Sequence, residues 1–120
     1  MADRLGSFEE FWPFYVSQHH DPRNRALHFV GTAGVLGCLA YGFWQPLSWA
    51  VCPLMGYGFA WVGHFLVEHN RPATFTYPVW SLRGDFRMFR LILVGRMGSE
   101  VARAEALFPP PSEQGPAPPP

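Results

Sequence analysis

The sequence predicts an all-α membrane protein: a two-span transmembrane helical hairpin with interfacial helices on both flanks. Three observations predict it. Of the 120 residues, 17% are aromatic and only 15% are charged. No basic residue lies between Ala26 and Asn70, and Glu68 is the one acid in that stretch. The stretch divides at Gln45-Pro46, where proline breaks a helix from the inside.

At this length the chain is one domain. Residues 1–107 read as a single helical membrane domain. Residues 108–120 read as a disordered tail, because "FPPPSEQGPAPPP" is mostly proline. The formal net charge is zero, which argues against a nucleic-acid partner. "MADRLGSFEEFW" lacks the basic-then-apolar pattern of a cleaved signal peptide. Cys38 and Cys52 form no C-x-x-C pair and read as small packing residues.

The first flank, "SFEEFWPFYVSQHH", opens with Ser7 and has Glu10 three residues on, a capping-box spacing. It offers Phe8, Phe11, Trp12, Phe14 and Tyr15 to a membrane surface. Asp21-Pro22 then reads as a helix start, with Asp as N-cap and Pro at the first position. The spans follow at about 26–44 and 47–67, each near the roughly 20 residues that cross a bilayer core. Both are glycine-rich, which lets helices approach closely. Pro72 ends the second span. Residues 86–96, "FRMFRLILVGR", mix Arg with apolar residues and are too short for a third span, so they read as an interfacial helix.

Arginine sets the topology. All nine basic residues are Arg, three before the hairpin and six after it, with none in the connecting loop. Under the positive-inside rule both termini face the cytoplasm, which in a bacterium makes this an inner-membrane protein. Membrane lipid is then its immediate environment, and self-association into a homo-oligomer is left open.

The candidate site comes from the hairpin. On a helix Asn24 and His28 share one face, as do His64 and Glu68. His28 precedes the loop, and His64 follows it, by almost the same number of residues. At 1.5 Å per residue both lie roughly 26 Å from the turn. Folding the hairpin therefore brings Asn24, His28, His64 and Glu68 together at the cytoplasmic edge, within reach of His19 or His20. Imidazoles with a carboxylate suit a divalent transition metal, and non-haem iron in particular. The competing reading is a pair of packing histidines bonded to each other or to backbone. His69 points away from Glu68 and reads as an interfacial residue. Asp85 reads either as an orienting partner for a ligating imidazole or as the N-cap of the 86–96 helix.

"FYVSQHHDPRNRALHFVGT", "GHFLVEHNRPATF" and "GDFRMF" together resemble a family of small membrane proteins of bacteria and fungi. Its fungal member is the iron-dependent 2-hydroxy fatty acid dioxygenase. The likeness runs over about residues 8–96. By position its H-x4-N-x3-H pattern falls on His19, Asn24 and His28, leaving His20 as the neighbour that does not match. Its G-H-x3-E-x3-P-A pattern falls on His64, Glu68, Pro72 and Ala73. The resemblance implies oxygen-dependent shortening of a 2-hydroxy fatty acid by one carbon, with a fatty-acyl substrate and O2 as reactants and Fe(2+) as cofactor. His19, His28 and His64 would hold the metal, with Glu68 as ligand or supporting residue and Asn24 orienting an imidazole. Open positions would remain for a 2-hydroxy acid and for O2. Arg71 or Arg87 would pair with the substrate carboxylate. Two alternatives stand beside it: a haem or electron-transfer module ligated by His28 and His64, and a non-catalytic membrane scaffold.

Overall fold

The computed structural model describes residues 5–109, and every regular element among them is helical. The helices are α1 (Phe8–Ser17), α2 (Pro22–Tyr41), α3 (Ser48–Val62), α4 (Pro78–Leu93) and α5 (Met97–Leu107). A π-helical segment, Gly63–Glu68, continues α3 without a break, and a 3-10 turn covers Ala73–Phe75. The expected proline-rich tail lies outside the described residues beyond Pro109.

Local chemistry sets the helix starts. Ser7 caps α1 by accepting from the Glu10 N–H at 3.2 Å, while the Glu10 carboxylate accepts from the Gly6 N–H at 2.9 Å. Asp21 caps α2 by accepting from the Arg23 N–H at 2.8 Å, with Pro22 in the first helical position. Pro78 likewise opens α4, eight residues before the interfacial helix expected at 86–96. The helix already present at 78 places Asp85 well inside α4, so the N-cap reading of Asp85 is corrected. Gly95, at φ 75, ends the turn after α4 and lets α5 begin.

α2 and α3 lie antiparallel and pack along their length, joined by a loop over residues 42–47. Glycine permits the close approach: a Cβ on Gly31 would sit 3.1 Å from the Met55 carbonyl oxygen. The continuous helix Ser48–Glu68 is long and apolar enough to cross a membrane, and only 11% of that stretch is buried within the protein. A core helix of a soluble protein would be mostly covered. α2 falls short of the same apolar standard, because Arg23, Arg25, Asn24 and its glycines lower its hydropathy.

The other three helices form a cap of a different kind. Phe8, Phe11, Trp12, Tyr15 and Val16 of α1 are buried against Met88 of α4 and Met97 and Ala104 of α5. These α1 aromatics, expected on a membrane surface, are instead the protein's own apolar core. α4 and α5 supply a second apolar surface, so burial within the chain is available to them.

Candidate metal centre

The turn between α1 and α2, the buried face of α2 and the π segment meet at one point. His19, His28 and His64 converge there, all buried, with one ligating nitrogen from each within 4.8 Å of the others. Their ring centroids are 4.3, 4.5 and 4.9 Å apart.

The hydrogen bonds fix the tautomers. His19 Nδ1 lies 2.6 Å from the Tyr15 carbonyl oxygen, and His28 Nδ1 lies 3.0 Å from the Asn24 carbonyl oxygen. A carbonyl only accepts, so both Nδ1 atoms carry the proton. His64 Nδ1 lies 2.6 Å from Asn70 Oδ1, and Asn70 Nδ2 donates to the Gln18 carbonyl at 3.0 Å. That second bond fixes the amide orientation and makes His64 Nδ1 a donor too. All three Nε2 atoms are therefore left as lone-pair acceptors.

Two of those acceptors, His19 Nε2 and His28 Nε2, are 3.1 Å apart. A cationic ring could donate across that gap. Burial, reinforced by the neighbouring His28 and His64 rings, instead holds the His19 pKa well below the usual imidazole range. Neutral lone pairs facing each other are unfavourable unless a cation sits between them. Two nitrogens at right angles on a metal with bonds of about 2.1 Å are about 3 Å apart. The donor set thus fits a metal ion, as an all-imidazole site of the kind that takes iron, zinc or copper.

Several neighbours keep this geometry. Arg25 donates one Nη1 to the His19 and His20 carbonyls at 2.8 and 2.7 Å, clamping the turn that carries His19. A Cβ on Gly63 would overlap the Asn24 amide, so only glycine lets α2 and the π segment close there. π segments concentrate at functional sites, and this one carries His64.

Glu68 does not join the histidines. Its side chain is 1% exposed, with Oε1 accepting from the Asp21 N–H at 2.7 Å and Asn24 Nδ2 at 3.3 Å. Oε2 lies 3.2 Å from His20 Nε2. The carboxylate sits against the N-terminus of α2, where exposed N–H groups stabilise an anion. The expected common site for His64 and Glu68 is not formed, because the Glu68 carboxylate is taken up by the Asp21 N–H, the Asn24 amide and His20. His20 faces Glu68, and exposed His69 closes the segment at φ 59.

The histidines open into a cavity of about 210 Å³. Its polar end includes Tyr15, Ser81 and Asp85, and its apolar end runs along α3 through Trp61, Gly56 and Pro53. The Tyr15 hydroxyl donates to Asp85, whose carboxyl burial pushes up to about 7. Asp85 thus acts on Tyr15, whose carbonyl holds His19. Arg71 and Arg87 lie elsewhere: Arg71 stacks over Phe75, and Arg87 packs on Phe8 and Trp12 beside Glu9. Neither lines the cavity. Sequence reasoning missed Asn70, Tyr15 and Ser81. Only Asn70, directly behind the histidine-bearing segment, left any signal.

The fold and this cluster define a class: a small protein that is, among the described residues, all-helical, with one membrane-length helix and a buried three-histidine group able to hold a metal ion. The family model described as "2-hydroxy-palmitic acid dioxygenase Mpo1-like" matches residues 5–97, and the chain belongs to that family. No curated protein and no solved structure matches it.

Proposed function

We propose that the protein is a membrane-embedded, Fe(II)-dependent dioxygenase that shortens 2-hydroxy fatty acids by one carbon. The observation that carries this reading is the convergence of three buried Nε2 lone pairs whose Nδ1 atoms are all held as donors. The family's description supplies the substrate class.

His19, His28 and His64 would hold ferrous iron, which supplies a redox centre for O2 and open positions for a 2-hydroxy acid. The chain's own residues do the rest. Tyr15, Asn24 and Asn70 orient the imidazoles through their oxygens and raise their basicity. Glu68 holds Asn24 and the start of α2 in place, a positioning role. The apolar side of the cavity runs from His64 to Cys52, roughly 18 Å along a helix, and takes the acyl chain. The stoichiometry closes without a further reductant. A 2-hydroxy acid plus O2 balances to the acid one carbon shorter, CO2 and water, a four-electron oxidation matched by four-electron reduction of O2.

Two spans fit this chemistry. If Ser48–Glu68 crosses the bilayer, the short 42–47 loop returns α2 along it through the same thickness. Both helices turn large apolar residues outward, among them Leu36 and Leu39 of α2 and Leu54 and Trp61 of α3. Arginine on both flanks puts both termini on the cytoplasmic side. The haem alternative is disfavoured, because the third imidazole occupies the space a macrocycle would need between the other two.

The test is oxygen uptake by detergent-purified, iron-loaded protein given 2-hydroxypalmitate, with chain length of the product read by mass spectrometry. A C15 acid formed with matching O2 consumption is the expected result. Bound iron with no uptake would overturn the dioxygenase reading. Cysteines placed at Ser48 and Ser112 test the topology: only the first should label from outside intact cells.

A further inference from the structure

The Ser81 hydroxyl makes no hydrogen bond that serves the fold. The residue is buried on α4, 5% exposed, and its Oγ has no hydrogen-bond partner. A helical serine ordinarily bonds back to the carbonyl one turn earlier, and Ser81 does not. A buried polar group left unpaired in a native fold calls for a partner. Ser81 lines the same cavity as the three histidines.

A fatty acid entering that cavity brings an anion; iron at the histidines would take one of its carboxylate oxygens, and no arginine lines the space to meet the other. The histidines present lone pairs, which cannot donate. The Tyr15 hydroxyl is committed to Asp85. Of the other donors in the lining, Tyr57 and Trp61 belong to the apolar end on α3 and are half exposed, and Thr74 is only partly buried. A buried, uncommitted donor remains at the polar end: the Ser81 hydroxyl.

Resting on the function proposed above, we propose that Ser81 is a substrate-binding residue whose hydroxyl donates to the carboxylate of the 2-hydroxy acid. Its neighbour one turn on, Asp85, is compatible with an anionic head group. Burial raises that carboxyl to about 7, which lowers the negative charge it presents to the substrate near neutral pH.

Ser81→Ala tests this, because it removes the hydroxyl, leaves a helix-favouring residue and creates no new unpaired group. Binding is measured anaerobically on iron-loaded wild type and variant with two probes, 2-hydroxypalmitate and 1,2-hexadecanediol, which lacks the carboxylate. The variant should hold the same iron and melt no lower than wild type. Its affinity for the acid should fall about tenfold or more, and its affinity for the diol less than twofold. Equal losses for both probes would make Ser81 merely structural and overturn the assignment, as would no loss for either. Wild type that binds neither iron nor the acid would overturn the proposed function itself, and this inference with it.

Discussion

The α2–α3 hairpin and the α1–α4–α5 cap solve opposite packing problems. The cap buries Phe11, Trp12, Tyr15 and Met88 as a soluble domain would. In the hairpin the order is inverted: α3 buries no residue between Ser48 and Val62, and α2 buries Asn24, His28, Gly31 and Thr32. Its large apolar side chains face outward. In water that arrangement would expose a continuous apolar belt, whereas in lipid it costs nothing and leaves the interior free for polar groups. The histidines sit at the seam. His19 comes from the cap side and His28 and His64 from the hairpin, so the site forms only when the two halves dock.

The comparison breaks most easily at the cap. Phe11 is 0% exposed and Leu54 is 73% exposed. Phe11→Ala should cost about 3–5 kcal/mol of stability in detergent, and Leu54→Ala close to nothing. A large loss at Leu54 in urea or thermal melts would mean that the hairpin's outer face is packed by protein and not by lipid.

A smaller effect is expected at the seam. Gly63→Ala pushes a methyl group into the Asn24 amide and should cost about 1–3 kcal/mol, with loss of bound iron. Gly58, with open space around its Cα, is the control, and Gly58→Ala should change neither melt nor metal content.

Smaller again is the effect of the orienting groups. Asn70→Ala removes the acceptor of His64 Nδ1 and should lower iron affinity about 10–100-fold with the fold intact. Glu68→Gln acts one step further away, through Asn24 and the α2 N-terminus, so its loss of iron should be the milder of the two. Metal titration of both variants orders them. A Glu68→Gln loss equal to that of a histidine variant would return the carboxylate to the metal.

The hairpin and its histidines were legible because their signals are local or additive. Charge gaps, proline and matched residue counts place His28 and His64 at one depth without any tertiary knowledge. Three features were not legible. The capture of Glu68 by the start of α2 and His20, away from the metal-binding nitrogens, leaves no mark in residue spacing. The aromatic face of α1 reads alike for lipid and for a protein core, and only the presence of α4 and α5 decides between them. The pairing of Tyr15 with Asp85 joins residues 70 apart in sequence, which no local pattern records. Arg71 and Arg87 had the right charge for a carboxylate, but their side chains are spent on aromatic rings outside the cavity.

The central claim is that three Nε2 lone pairs, from His19, His28 and His64, hold one iron. Iron per protein, measured on detergent-purified chain after anaerobic Fe(II) loading and desalting, tests it most directly. Wild type, His20→Ala and His69→Ala should each retain close to one iron, while His19→Ala, His28→Ala and His64→Ala should each lose it. Retention of full iron by any of those three, or loss of it in His20→Ala with His19→Ala still loaded, would contradict the account.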